Sequence, residues 1–254
     1  MKKSKKTRRY LRTSEIAQAI GVHPNTIRLY EEWGFLPPIP RTPSGYRKFT
    51  QAHLDQARLV RTALRAPYPG GKAPALELVF RAAAGDLGGA LEQAYAYLAQ
   101  VRAEQAQAEA AVALLERWAQ GLAADTTARP LQIGQVARLL ALTTDTLRNW
   151  ERDGLIKVPR NPRNGYRLYG AAEIGRLRVI RMLRRSGYST MSILRMLRYL
   201  DHRQGQDLRR VLDTPLPDED VYSAADHWLS TLAAQEQRAL DVIAQLEAMI
   251  GKRQ

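Results

Sequence analysis

The 254-residue chain contains no cysteine. That one absence removes disulfides, thiolate zinc sites, iron–sulfur clusters and cysteine nucleophiles together. The four histidines, His23, His53, His202 and His227, show no ligand spacing, so no metal and no other cofactor is expected. No Ser/His/Asp order, phosphate-binding glycine loop or paired-carboxylate pattern stands out, and no enzyme activity is expected. No apolar run approaches the ~20 residues of a membrane span. The basic start Lys2–Arg9 is not followed by the apolar stretch of a secretory signal. The expectation is a cytoplasmic protein with no membrane partner.

What is present is positive charge. Lys and Arg number 39 against 25 Asp and Glu, a formal net charge of +14, and 45% apolar composition is enough to bury a core. The length suggests two domains and the charge a polyanionic partner. The charge is also segregated. Residues 86–124 hold five acids and two bases (−3), residues 213–250 hold eight acids and one base (−7), and the other 177 residues therefore carry +24. Parts of the chain are built to meet an anion and parts are not. Solvated Arg-rich helix faces are the plainer alternative.

The basic regions repeat. Leu11–Phe49 aligns with Leu131–Tyr169 at a constant offset of 120 without a gap. Nine of the 39 positions are identical: Leu11, Ala17, Thr26, Arg28, Glu31, Gly34, Gly45, Tyr46 and Arg47 match Leu131, Ala137, Thr146, Arg148, Glu151, Gly154, Gly165, Tyr166 and Arg167. Background usage gives about two or three, so the chain reads as a tandem duplication. In each copy a short helix opens at a hydroxyl cap near Thr13–Ser14, a tight turn follows at Gly21–Pro24, and a second helix runs to a C′ glycine, Gly34. A proline-rich arm then leads to Ser44-Gly45-Tyr46-Arg47, which suits a β-hairpin turn, and a third helix carries Leu54, Ala57, Val60 and Leu64.

Helix, turn, helix and a hairpin wing with an arginine at its tip is a DNA-docking layout. Thr26-Ile27-Arg28-Leu29-Tyr30-Glu31 with Gly34-Phe35-Leu36 and Ser44-Gly45-Tyr46-Arg47 resembles the DNA-binding domain of the MerR family of bacterial transcription regulators. Thr146-Leu147-Arg148-Asn149-Trp150-Glu151 with Gly154-Leu155-Ile156 and Asn164-Gly165-Tyr166-Arg167 resembles it again. The Arg-rich stretch Arg176–Arg185 and the following Gly187-Tyr188-Ser189 look like that family's second helix pair. Copy one departs there, with a longer proline-bearing turn over Ala66–Pro74.

The residues expected at DNA are Asn25, Thr26, Arg28, Tyr30, Arg41, Tyr46, Arg47 and Lys48 in copy one. In copy two they are Thr144, Asp145, Thr146, Arg148, Trp150, Arg160, Arg163, Tyr166 and Arg167. Arg28 and Arg148 sit on the exposed side of the recognition helix, where a guanidinium can bond guanine or clamp phosphate. The alternative is an intrahelical pair with Glu31 and Glu151 at i+3. Thr26 and Thr146 suit a base or phosphate contact, or simply a helix start. Arg47 and Arg167 suit phosphate or the minor groove, against a solvated loop charge. Tyr46 and Tyr166 are expected to pack the wing on the helices, with a phosphate bond as a second role. Trp150 lacks a hydroxyl, so a phosphate contact there falls to its indole N–H. The tail is a phosphate-tracking arm or an extension that adds only non-specific affinity.

Each acidic segment carries apolar residues at alternating steps of three and four, as a coiled-coil seam does. The first runs through Leu91, Ala94, Leu98, Val101, Gln105, Ala108, Val112, Leu115, Ala119 and Leu122. The second runs through Ala225, Leu229, Leu232, Glu236, Ala239, Ile243, Leu246 and Ile250. Gln105 and Glu236 are the polar interruptions, expected to lie close together. An amphipathic helix packed on its own domain is the alternative. The resemblance implies an antiparallel coiled coil of the kind two protomers form, here within one chain.

The expected fold is mainly α with small β wings: two winged helix-turn-helix domains, each followed by a long helix, the two helices pairing antiparallel. Residues 1–9 are a basic tail, 10–85 the first domain, 86–124 its long helix, 125–130 a linker, 131–212 the second domain and 213–254 the second long helix. The expected function is a sequence-specific transcription regulator on double-stranded promoter DNA, with RNA polymerase holoenzyme as the further partner that the resemblance implies. A monomeric pseudo-dimer reading an asymmetric operator is expected over a homodimer, and family mechanism implies distortion of promoter DNA. A DNA-bending architectural or recombination-directing protein is the second reading. The missing cysteines exclude thiol-based sensing.

Overall fold

Helices dominate because the apolar residues recur at helical spacing while glycine and proline fall between the segments. The computed structural model describes residues 10–65, 72–120, 129–201, 207–215 and 224–253. The basic tail 1–9, turn residues 66–71, linker residues 125–128, Leu122 and His202 lie outside the described residues, as does the side chain of Ala225. Copy one supplies α1 (Thr13–Ile20), α2 (Pro24–Glu32), α3 (Gln51–Ala63) and α4 (Ala73–Ala83), followed by the long α5 (Leu87–Ala119). Copy two repeats the order with α6 (Ile133–Leu139), α7 (Thr144–Arg152), α8 (Ala171–Arg185) and α9 (Thr190–Asp201). The short α10 (Leu208–Asp213), a 3-10 turn (Ala224–His227) and α11 (Trp228–Gly251) complete the described chain. No helix among the described residues is long and apolar enough to cross a membrane.

The helix starts follow one logic in both copies. The hydroxyl cap expected at Thr13–Ser14 is not used. Instead the Glu15 carboxylate accepts the Arg12 backbone N–H at 2.7 Å, and Gln135 accepts that of Gln132 at 2.8 Å. At the third helix of each copy, His53 Nδ1 accepts from Thr50 N at 3.0 Å and Glu173 accepts from Gly170 N at 2.9 Å. His53 Nε2 lies 3.3 Å from the Pro38 carbonyl and donates to it, tying the arm to α3. Both ring nitrogens are thus satisfied in the neutral tautomer, and burial holds the His53 pKa below the ordinary histidine value.

Each expected hairpin is closed by a single isolated antiparallel bridge: Arg41 with Arg47 in copy one, Arg160 with Arg167 in copy two. A second bridge per copy joins the ends of the repeat, Leu11 with Phe49 and Leu131 with Tyr169.

The chain divides into two units. The first takes in Met1–Arg102 and Ala234–Gln254, the second Ala103–Ala233. In unit 1, Ile16, Ala17, Ile20, Ile27, Leu36, Phe49, Leu54 and Ala57 form the core of the first three helices. A second cluster joins Phe35, Leu59, Val60, Leu78 and Val79 to Leu87, Ala90, Ala94 and Leu98 of α5 and to Ala239, Val242, Ile243, Leu246 and Met249 of α11. In unit 2, Val136, Leu147, Leu155, Tyr169, Ile174, Leu177 and Tyr188 are buried. The Tyr188 hydroxyl donates to the Ala108 carbonyl of α5 at 3.4 Å, and burial pushes its pKa up.

Of the expected seam residues, Leu98, Val101, Val112, Leu115, Leu232, Ile243 and Leu246 are buried. Leu91, Gln105, Leu229 and Glu236 are half-buried, and Ala119 is exposed. The polar position of the second seam is corrected by one residue. Gln235 is 1% exposed and accepts the Tyr97 hydroxyl at 2.9 Å. Glu236 stands at the edge, paired with Arg102 at 2.7 Å. The reason is desolvation: an amide with a partner is cheaper to bury than a carboxylate.

The duplication itself suggests two stabilising changes. Ala141 holds φ +47 where copy one has Gly21 at φ +64, a left-handed conformation that costs a side chain about 1–2 kcal/mol. The Tyr169 hydroxyl is buried without a hydrogen-bond partner among the described residues, where copy one has Phe49. Ala141→Gly and Tyr169→Phe are each expected to raise the stability of unit 2 by about 1 kcal/mol, read from urea denaturation. The opposite effect is expected at Gly187. It has φ +94, and a Cβ there would collide with the Trp228 ring, so Gly187→Ala should lower the thermal midpoint by several degrees.

Candidate nucleic-acid interface

The second helix of each copy is held at its start by a side chain from the preceding turn. His23 Nδ1 accepts from Asn25 N at 3.2 Å in α2, and Thr143 Oγ1 accepts from Thr146 N at 3.0 Å in α7. The Thr146 hydroxyl lies 2.8 Å from that of Thr143, which favours the helix-start role for Thr146. Ile27 and Leu147 anchor the helices in their cores, leaving Asn25 and Arg28, or Asp145 and Arg148, exposed on the opposite face, with Thr26, Thr144 and Thr146 half-buried beside them.

Arg28 and Arg148 do not pair with the glutamates at i+3. Arg28 donates to the Asn25 amide oxygen at 3.0 Å, and Arg148 pairs with Asp145 at 2.9 Å. Arg148 and Asp145 keep 54% and 79% of their side-chain surface exposed. Such exposed pairs are weak and exchange readily for an external partner.

The glutamates serve the turn that follows. Glu31 accepts from Arg47 Nε at 2.5 Å and from Arg41 at 3.1 Å. Glu151 accepts from Arg167 Nε at 2.6 Å and lies 3.5 Å from Arg160. One half-buried carboxylate per copy therefore fixes two turn arginines to the end of the second helix. With Nε engaged, the terminal nitrogens of Arg47 and Arg167 are the donors left for an anion. The role of Glu31 and Glu151 was missed in the sequence, and so was the correspondence behind it. The ungapped alignment sets Arg41 against Asn161, but the hydrogen bonds Lys48 N to Pro40 O and Leu168 N to Pro159 O equate Pro40-Arg41 with Pro159-Arg160. Copy two is one residue shorter in the arm and one longer in the turn, so the two shifts cancel. The repeated Pro-Arg pair was the available signal.

At the turn itself, Gly45 (φ +82) and Gly165 (φ +72) take the conformation glycine favours, and a Cβ on either would meet nothing within 4 Å. Thr42 and Asn161 close the turns by donating to the carbonyls of Tyr46 and Tyr166, both at 2.8 Å. The tyrosines overturn their expected packing role: Tyr46 is 74% exposed and Tyr166 65%. Two large rings thus stand in solvent at matching positions, and packing within the chain does not account for them. Lys48 lies over the Tyr10 ring at 5.3 Å, and Arg163 is exposed beside Tyr166.

The aromatic of the second helix behaves differently. Tyr30 is half-buried beside Phe35, with ring centroids 6.0 Å apart, and burial raises its hydroxyl pKa while Arg61 opposes the rise. Trp150 is 8% exposed, which gives it a packing role in place of the expected phosphate contact. Among the described residues no group of three or more His, Asp or Glu is placed to hold a metal ion.

A family model described as MerR HTH family regulatory protein matches residues 11–69 and 131–200. A probable heavy metal-dependent transcriptional regulator of Haemophilus influenzae is 36% identical over 72 residues, 28% of this chain and 56% of the relative. The mercuric resistance operon regulatory protein of Pseudomonas fluorescens is 30% identical over 88 residues, 35% and 61% of the two chains. The HTH-type transcriptional regulator CueR of Escherichia coli is 42% identical over 50 residues, 20% and 37%. The chain thus spans between about a third and three fifths of the curated relatives it matches. No solved structure matches it.

Proposed function

The chain belongs to the MerR family of helix-turn-helix regulatory proteins, and on that premise we propose that it is a sequence-specific regulator of transcription that binds double-stranded promoter DNA. One observation carries this reading. Both copies present an exposed tyrosine at a glycine turn, beside arginines that a glutamate ties to the second helix. In this reading the second helix enters the major groove and the turn serves as a wing on the flanking backbone. Asn25, Thr26 and Arg28, with Asp145 and Arg148, face the bases. Arg41, Tyr46, Arg47 and Lys48, with Arg160, Arg163, Tyr166 and Arg167, face phosphate or the minor groove.

We further propose that α5 and α11 pair antiparallel, so that one chain acts as a pseudo-dimer. In support, Tyr95 donates to Glu247 at 3.0 Å, while Arg102, farther along α5, pairs with Glu236, farther back along α11. The recognition helices differ in sequence, Pro24-Asn25-Thr26 against Thr144-Asp145-Thr146, so the operator is asymmetric. The protein works in the cytoplasm on the nucleoid, distorting promoter DNA for RNA polymerase holoenzyme. Genome-wide footprinting followed by transcription from a bound promoter tests this. Discrete asymmetric sites and altered transcript levels are expected. Affinity indifferent to sequence, or binding without any change in transcription, would contradict it.

A further inference from the structure

In unit 2 a groove of about 400 Å3 runs between α8 and the later part of α5. Arg178, Arg181 and Arg185 line one side at helical spacing, Gln107, Ala111 and Leu114 line the other, Met182 sits among them, and no acidic side chain among the described residues lines it. Arg181 is the telling residue. Its Nε is buried and has no hydrogen-bond partner among the described residues. A buried guanidinium donor facing no acceptor is costly, and the same side chain lines the groove. Arg185 is exposed at the same groove. Opposite them Leu114 is 50% exposed, a large apolar side chain on a wall without charge.

A cationic wall facing a largely apolar, uncharged one suits neither bulk solvent nor a sugar–phosphate backbone, which would leave Ala111 and Leu114 against polar groups. The volume falls within the range of small-molecule sites. We propose that this groove binds a small amphiphilic organic anion: an apolar body lying along Leu114 and Met182, with one carboxylate, sulfonate or phosphate group met by Arg181 and Arg185. The guanidinium fork matches such a head group.

The test uses the full chain and two dyes that differ by one charged group, 8-anilinonaphthalene-1-sulfonate and its uncharged counterpart N-phenyl-1-naphthylamine. Titration followed by fluorescence is expected to give one saturable site for the sulfonate and binding at least about tenfold weaker for the neutral dye. Arg181→Gln, Arg185→Gln and Leu114→Asp should each weaken the sulfonate about tenfold or more. Arg185 and Leu114 are exposed, so those two variants carry the test if Arg181→Gln fails to fold by circular dichroism. Equal binding of the two dyes, or sulfonate binding unchanged in the folded variants, overturns the proposal. So does an Arg185→Gln protein that loses DNA affinity while keeping the dye.

Discussion

Arg47→Ala combined with Arg167→Ala is expected to weaken operator binding by about two to four orders of magnitude. Each guanidinium supplies a charge-assisted contact of about 1.5–3 kcal/mol, and each is presented at a fixed angle because its Nε is held by Glu31 or Glu151. The variant should also flatten the salt dependence. The slope of log K against log salt should fall by about two, one phosphate per copy. Glu31→Gln with Glu151→Gln separates charge from positioning. It keeps every cation, so its salt slope should hold or steepen, while discrimination between operator and random DNA falls because the arginines lose their anchor. Fluorescence anisotropy at several salt concentrations reads both quantities. An unchanged slope in the double arginine variant would place Arg47 and Arg167 away from the phosphates.

The second large effect is on the fold. Leu246 is fully buried in the cluster that joins copy one to both long helices. Leu246→Asp would bury a carboxylate without a partner, at a cost of several kcal/mol, comparable with the ~5–15 kcal/mol that holds a whole domain folded. Loss of the cooperative unfolding transition of unit 1, and of operator binding with it, is the expected result in urea denaturation and DNA titration. Leu240 lies on the same helix but is 37% exposed, and Leu240→Asp should shift stability by no more than about 0.5 kcal/mol. Equal tolerance of the two substitutions would mean that the α11 face carrying Leu246 does not hold unit 1 together.

The parts of this architecture written in local sequence were the parts that could be read. Helical spacing, cap positions and glycines at helix ends act within a few residues, and the 120-residue offset repeats them twice. The pairing of Glu31 with Arg41 and Arg47 crosses 10 and 16 residues, a separation at which no helical or strand period links them. The correspondence between the two turns is hidden in the sequence because two single-residue shifts cancel over the aligned span. The polar position of the second seam differs by one residue because a glutamine and a glutamate stand side by side at Gln235-Glu236, and only burial distinguishes them. Tyr46 and Tyr166 were read as packing residues because aromatics usually bury; their exposure is visible only once the turn is built. Trp150 is the reverse case, a position on the second helix of its copy whose side chain turns into the core.

The duplication now gives the +14 charge a structure. Arg41 and Arg47 in one copy, and Arg160 and Arg167 in the other, gather at one glutamate each, while the acidic α5 and α11 carry apolar stripes that are largely buried. Whether one chain suffices for one operator decides the central claim most directly. Sedimentation of the chain at low micromolar concentration, free and on its footprinted DNA, should give the mass of a single chain and a complex of one chain per site. A stable dimer in solution, or two chains on each operator, would contradict the single-chain pseudo-dimer.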